Sequence, residues 1–303
     1  MIVYDTTPLV SVLIPCYNHS AYIIEALDSI SESDYPNMEL ILIDDASQDE
    51  SYELAQGWIN SNRDRFVRAM HIKHSNNLGI CSTMNELLNL ANGVYVIYLA
   101  SDDLLLHDGI TRQVLYAREN NVNFLFADSH LINRSGTLIA ESALEYYGKS
   151  KKKLSKNSFC FTVDIVFSWK APWNRFFSKT HALKEIGGFD SGLLFEDRDI
   201  VIRILNQGSY AFLPISVTCY RYTGEPTIGL SKKGMQQDFS RADIQNYYKS
   251  YGAIKVLLFM MVFCYKEKYN NTNKFRCYLN MMTLVFFRLI RFLIRVVHCQ
   301  LIK

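Results

Sequence analysis

The 303-residue sequence holds seven cysteines, all placed singly, with no CxxC pair and no metal-ligand spacing. That argues against a zinc site or a disulfide framework and points to a reducing compartment. Glycine is sparse, and neither GxGxxG nor GxxxxGK[ST] occurs, so the usual glycine loops that cradle phosphate are missing. Any phosphate the chain binds must be neutralised by something else. The start, MIVYDTTP, has no basic residue and no long apolar core before Pro15, so no secretory signal is expected and the chain is expected to stay in the cytoplasm. A formal net charge of only +2 gives no reason to expect nucleic acid as a partner.

What is present is the composition of a folded globular protein, 49% apolar and 20% charged, sized for one catalytic unit with or without an appendage. The stretch that organises the rest is Val94 to Leu106, VYVIYLASDDLLL. A short apolar run rich in β-branched and aromatic residues reads as a strand buried on both faces, and this one stops at Ser101-Asp102-Asp103. Open parallel sheets bind ligands at the carboxyl ends of their strands, so paired acids there suit a divalent cation and a bound polyphosphate. Helix capping by Asp accounts for the same pair about as well on these residues alone.

Val10 to Ile14 reads as a strand that Pro15 stops, followed by a turn, caps at Asn18 and Ser20, and a helix with Ile23, Leu27 and Ile30 on one face. Tyr17, in the turn, either stacks on a flat ligand or packs the loop onto the sheet. Glu39 to Ile43 is a second buried strand and it also ends in two acids, Asp44 and Asp45. Ser47 and Glu50 have capping-box spacing ahead of the apolar stripe Leu54, Ala55, Trp58 and Ile59. Asp45 therefore sits in a strand-to-helix loop, where it either accepts hydrogen bonds from a ribose or base or shapes the turn. A strand near Ala69 to Ile72, the turn-rich run His74 to Gly79, and a helix of Ile80, Met84, Leu87, Leu88 and Ala91 ended by Gly93 lead back to the Val94 strand. Strand and helix alternate throughout, the pattern of a doubly wound parallel sheet.

The second half is mixed. A helix with Ile110, Val114 and Ala117 precedes a strand from Asn123 to Asp128 and a hairpin turned by Asn133 to Gly136. Residues 141 to 158 read as a mobile loop whose lysine run is solvated. Trp169 to Phe177 is aromatic and basic, suited to a sugar face or to anchoring the sheet. Glu196, Asp197 and Asp199 crowd the start of a helix that buries Ile200, Val201, Ile204 and Leu205 and stops at Gly208. The helix dipole accounts for two of these acids, and a carboxylate base held on a rigid element accounts for a third. Ala253 to Tyr265 is apolar but too short to span a bilayer. In Thr283 to Val297, Arg288, Arg291 and Arg295 share one helical face, the pattern of a helix lying on an anionic membrane surface or packed against protein.

Five motifs, in this order and spacing, resemble glycosyltransferase family 2: Pro15-Cys16-Tyr17-Asn18; Glu39 through Asp45 to Asp49; Asn77-Leu78-Gly79 with Asn85 and Gly93; Ser101-Asp102-Asp103; and Gly188-Phe189-Asp190 with Glu196-Asp197. The resemblance covers about residues 8 to 225 and implies an α/β GT-A fold, with a nucleotide-sugar half over about 8–103 and an acceptor half over 104–225. A C-terminal helical, amphipathic extension over 226–303 would associate with the membrane. By that similarity Pro15, Tyr17 and Asp45 lie with the nucleoside, Asp102 with the ribose or sugar, Asp103 with a Mn²⁺ or Mg²⁺ bridging the diphosphate, and Asp197 is the catalytic base. Two positions depart from the family: Met84 stands where an arginine is common, and Thr223-Gly224 follows Tyr220-Arg221-Tyr222 where a histidine is common.

The expectation is an inverting transferase that moves a sugar from a UDP-linked or similar donor to a glycan or lipid-linked acceptor in surface polysaccharide synthesis. It would sit peripherally on the cytoplasmic face of a bacterial membrane. A catalytically silent GT-A-like membrane-binding protein is the alternative. A nucleotidyltransferase ranks lower, because the N-terminal glycine-rich phosphate loop of such enzymes is missing.

Overall fold

The computed structural model describes residues 7–155, 158–167, 176–222, 241–246 and 249–250. Its first part alternates β1 (Val10–Cys16), α1 (Ile23–Ser31), β2 (Met38–Asp44), α2 (Ser51–Asn62), β3 (Arg68–Lys73), α3 (Ile80–Leu90) and β4 (Tyr95–Tyr98). Then come β5 (Leu104–Leu105), α4 (Gly109–Glu119), β6 (Phe124–Ile132), β7 (Leu138–Ala140), α5 (Ala143–Tyr146), α6 (Lys151–Leu154) and α7 (Ser158–Phe167). The last described elements are β8 (Phe176–Lys179), α8 (Thr180–Glu185), α9 (Asp197–Gln207) and β9 (Tyr210–Arg221).

One mixed sheet runs through both halves in the order β3-β2-β1-β4-β8-β6-β9-β5, with β7 paired to β6. The pairs among β1 to β4 are parallel, as the alternation requires; β8 enters antiparallel between β4 and β6. Side chains alternate across the sheet. Leu13, Ile41, Ile43 and Val96 face one layer with Met84, Leu87 and Leu88 of α3 and Ile200, Val201, Ile204 and Leu205 of α9. Val12, Ile14, Leu40 and Leu42 face the other with Ile23, Leu27 and Ile30 of α1 and with α2 and α4. Strands covered on both faces need apolar residues at every position, which is why their sequences run apolar without a break.

Several local expectations give way. Pro15 lies inside β1, paired with Ile43, and does not stop it. Leu13 lends its carbonyl to Leu99, so Pro15 two residues on faces the same side, where β4 has already ended at Tyr98. Its missing N–H therefore costs no ladder bond. Ser47 and Glu50 form no capping box, and Asn18 and Ser20 cap nothing: neither α1 nor α2 has a side-chain cap. Gly93 is not the helix stop, since α3 is capped at Ala91. A Cβ on Gly93 would lie 2.6 Å from the Ser11 amide, so this glycine allows two backbones to approach. Residues 141 to 158 carry two short helices in place of a loop. There Lys149 is buried and paired with Asp164 at 2.5 Å, and Lys151 reaches Asp128.

Trp169, Trp173, Thr223 and the stretch from Ala253 through Val297, with Arg288, Arg291 and Arg295, lie outside the described residues. Among the described residues no helix is long and apolar enough to cross a membrane.

Candidate active site

Loops that follow the carboxyl ends of β1, β2 and β4 are tied together by hydrogen bonds. Asn18 N–H donates to Ser47 Oγ at 2.9 Å, and Asn18 Oδ1 accepts from Gln48 N–H at 2.8 Å. Asn18 holds a left-handed φ of 55°, a conformation Asn tolerates better than most residues. His19 N–H donates to Ser51 Oγ, and its Nδ1 lies 2.7 Å from Ser101 Oγ. Ser20 N–H donates to Asp49 Oδ2. The Asn18 and Ser47 side chains, which read as helix caps, thus bind loop to loop, which shapes one rim above the sheet. Tyr17 stands on that rim, 44% exposed, where an aromatic face can meet a flat ligand.

Asp45 is buried and its oxygens are spoken for. Oδ1 accepts from His74 Nδ1 at 2.7 Å and Leu78 N–H at 2.8 Å, and Oδ2 accepts from Gly79 N–H at 2.9 Å. His74 also reaches Glu86 Oε2 through Nε2 at 3.1 Å. Burial works to lower the His74 pKa, but the Asp45 and Glu86 carboxylates outweigh it and hold the imidazole above its ordinary value. Asp45 therefore fastens the β3–α3 turn, which the sequence showed only as a turn-rich run. The roles of His74, Glu86 and His19 were missed because none belongs to a short motif, and Ser101, quoted in one, gave no sign of its bond to His19. The one available signal was a histidine at each of two strand-to-helix loops.

Asp102 and Asp103 diverge. The Asp102 carboxylate is the more open, its side chain 14% exposed and Oδ2 4.0 Å from His19 Nε2. Asp103 is 1% exposed, and its Oδ1 accepts the backbone N–H of Arg221 at 2.9 Å. Two adjacent carboxylates offer hard oxygen donors of the kind Mg²⁺ and Mn²⁺ take. Such cations are commonly held by one or two carboxylates, the remaining ligands coming from substrate phosphate and water, so this small donor set fits. Among the described residues no cluster of three or more His, Cys, Asp or Glu side chains forms a complete cage.

Asn85 of α3 clasps Phe189 from both sides: Nδ2 donates to the Phe189 carbonyl at 2.7 Å, and Phe189 N–H donates back to Oδ1 at 2.8 Å. A Cβ on Gly188 would lie 2.4 Å from that Asn85 oxygen, and Gly188 has a φ of 61°, so glycine is required twice over. Two motifs 104 residues apart thus meet, and they bring the approach to α9 against the first half.

Residues 11–175, more than half of the chain, match the family described as glycosyl transferase family 2. The chain belongs to that family. Among relatives, a Bacillus subtilis glycosyltransferase named for teichuronic acid biosynthesis, TuaG, is 30% identical over 131 residues, 43% of this chain and 50% of TuaG. The chain spans from about a fifth to half the length of the curated relatives it matches. Its fold matches S. aureus TarS solved with UDP-GlcNAc, with a TM-score of 0.61 at 18% identity, over 79% of this chain and 65% of that one. It also matches a Pyrobaculum calidifontis mannosyltransferase solved with GDP-Man and Mn²⁺, with a TM-score of 0.60 at 16% identity, over 93% and 81%. The glycosyltransferase domain has the GT-A architecture of these structures.

The acids at the start of α9 are unequal. Asp199 binds the Arg203 guanidinium at 2.8 Å and Asn246 Nδ2 at 2.7 Å. Arg198 is turned inward, bonded to Asp243 and to the carbonyls of Ile165 and Val166. Asp197 is partly buried and accepts the Arg198 N–H at 2.7 Å. Burial, and then the like charge of Glu196, push its carboxyl up to about 7 against the pull of Arg198. A carboxylate poised there takes a proton near neutral pH and releases it again. Met84, where an arginine is common, is 4% exposed and packs in the core, and Tyr98 donates to its carbonyl, so it places no charge at the rim.

Proposed function

We propose that this domain is an inverting glycosyltransferase that moves a sugar from a nucleoside-diphosphate sugar, UDP-linked, to a hydroxyl of a glycan or lipid-linked acceptor in surface polysaccharide synthesis. The observation that carries this is the placing of acids in a chain of this family: Asp102 and Asp103 in the loop after β4, and Asp197 at the start of α9, its carboxyl raised by burial and by Glu196. Asp197 takes the proton of the acceptor hydroxyl as its oxygen attacks the anomeric carbon. The bond from that carbon to the diphosphate oxygen breaks, and its electron pair leaves with the nucleoside diphosphate. Asp103, with Asp102 beside it, would hold a Mn²⁺ or Mg²⁺, which when bound would supply positive charge to the departing diphosphate. Tyr17 and the Asp45-fastened turn, with Pro15 beneath them, frame the nucleoside, and Asp102 lies toward the ribose or sugar.

TuaG's name supports polysaccharide synthesis, and the UDP-GlcNAc of the TarS structure and the GDP-Man of the mannosyltransferase both support a nucleoside-diphosphate sugar as donor, the first of them a UDP-linked one. Peripheral attachment to the cytoplasmic face of the membrane rests on the basic face of Thr283 to Val297. The test is binding of a panel of nucleoside diphosphates and their sugars to the purified chain, with and without Mn²⁺, for wild type and Asp103→Ala. Selective, metal-dependent binding lost in the variant is the expected result. No binding under any metal condition would overturn the reading in favour of a silent membrane-binding protein.

A further inference from the structure

The most heavily engaged buried side chain near the rim belongs to Arg221, at the end of β9, and none of the steps above uses it. Its side chain is fully buried, yet it carries a charge, and burying a guanidinium is costly unless its donors are met. They are met by the metal loop and its surroundings. Nε donates to the Asp102 carbonyl at 2.7 Å, Nη1 to the carbonyls of Arg134 at 3.0 Å and Asn133 at 3.4 Å, and Nη2 to Glu25 Oε2 at 2.6 Å. Its guanidinium lies 4.8 Å from the centroid of the Tyr22 ring. The backbone N–H of the same residue donates to Asp103 Oδ1 at 2.9 Å. One residue therefore grips the Asp102–Asp103 loop twice, once through a main-chain carbonyl and once through a carboxylate, and anchors it to α1 and to the β6–β7 turn.

We infer that Arg221 is a positioning residue that sets the affinity of the Asp102–Asp103 loop for its divalent cation. This rests on the reading that the loop holds such a cation. Between β4 and β5 the loop spans residues 99–103, with a turn closed by the Asp103 N–H on the Ala100 carbonyl. A turn this short, left to itself, would have to be ordered when metal binds, and that ordering subtracts from affinity. Arg221 orders it beforehand. Lysine keeps the charge but cannot reproduce a planar fork that reaches three carbonyls and a carboxylate at once.

The experiment is Mn²⁺ titration of the full chain, followed by the electron paramagnetic resonance signal of free Mn²⁺, for wild type, Asp103→Ala, Arg221→Lys and Glu25→Gln. UDP and GDP binding without metal, and thermal unfolding, are measured alongside. Arg221→Lys is expected to weaken Mn²⁺ binding about tenfold or more, as loss of partners behind metal ligands usually does, with the residual nucleotide binding seen without metal unchanged. Glu25→Gln, at a half-exposed partner, is expected to weaken it about threefold, and it decides the matter if Arg221→Lys does not fold. A folded Arg221→Lys, or failing that a Glu25→Gln, with wild-type Mn²⁺ affinity overturns the inference while leaving the cation site standing. Wild type that binds no Mn²⁺, or an Asp103→Ala that binds it normally, overturns both.

Discussion

Asp44, Asp45 and Asp49 in the first half of the sheet and Asp197 in the second use their carboxyls in opposite ways. The first three are struts. Asp45 accepts three hydrogen bonds from the β3–α3 turn, Asp44 accepts one from Ser47 N–H, and Asp49 accepts from Ser20 and Ser51. Burial works against charge on Asp49, but those donors outweigh it and bring its carboxyl down to about 2. In the second half Asp197 is kept where charge is unwelcome and rises to about 7. The difference is in what faces each carboxylate: several N–H and O–H donors in one case, desolvation and a neighbouring acid in the other. A count of acids at strand ends does not pick out the reagent. The donors around each one do.

The sharpest way to break this contrast is Asp197→Asn. If Asp197 is the reagent, turnover falls by about two to four orders of magnitude while donor binding survives, measured by initial rates and by nucleotide titration. Unchanged turnover would make Asp197 another strut. Asp45→Ala attacks the other side: with three donors left unpaired, the chain loses about 2–4 kcal/mol in denaturant unfolding. A loss below about 0.5 kcal/mol would mean that the turn holds without it. The contrast can also be sharpened by pH. Because the Asp197 carboxyl is raised, its base form is lost as pH falls through about 7, so kcat/KM should drop on that limb. An acid limb near 4, the ordinary carboxylate range, would contradict the burial argument.

The smallest effect concerns His74, whose folded pKa is raised. Its contribution to stability is fully present below the unfolded value of about 6.5 and fades as pH rises through the folded one. Unfolding midpoints measured from pH 6 upward should fall more steeply in wild type than in His74→Gln. Parallel curves would remove the charge from the account of how Asp45 is held.

Most of the first half was legible because its cues are local. Apolar runs marked β1, β2 and β4, and a 3.6-residue period marked α1 and α3, since each strand or helix face must be filled whatever its partners are. The caps were not legible. Ser47 has the spacing of a capping box, yet its hydroxyl is taken by Asn18 N–H from 29 residues away. The lysine run looked solvated, yet Lys149 is drawn inward by Asp164. Glu39 was visible only as a strand residue, yet it binds Ser11, Arg68, Asn92 and Gly93 beneath the sheet.

The sequence by itself determined the alternation of strand and helix, the order of the five motifs, and the placing of acids after β2, after β4 and at the start of α9. Only the tertiary structure decided which of those acids are already engaged. It joined Asn85 to Phe189 across 104 residues and Arg221 to Asp103 across 118. Periodicity records how each face is buried, a property of neighbours in the chain. Hydrogen-bond partners this far apart are chosen by the order of strands in the sheet, and a carboxylate becomes strut or reagent only once they are in place.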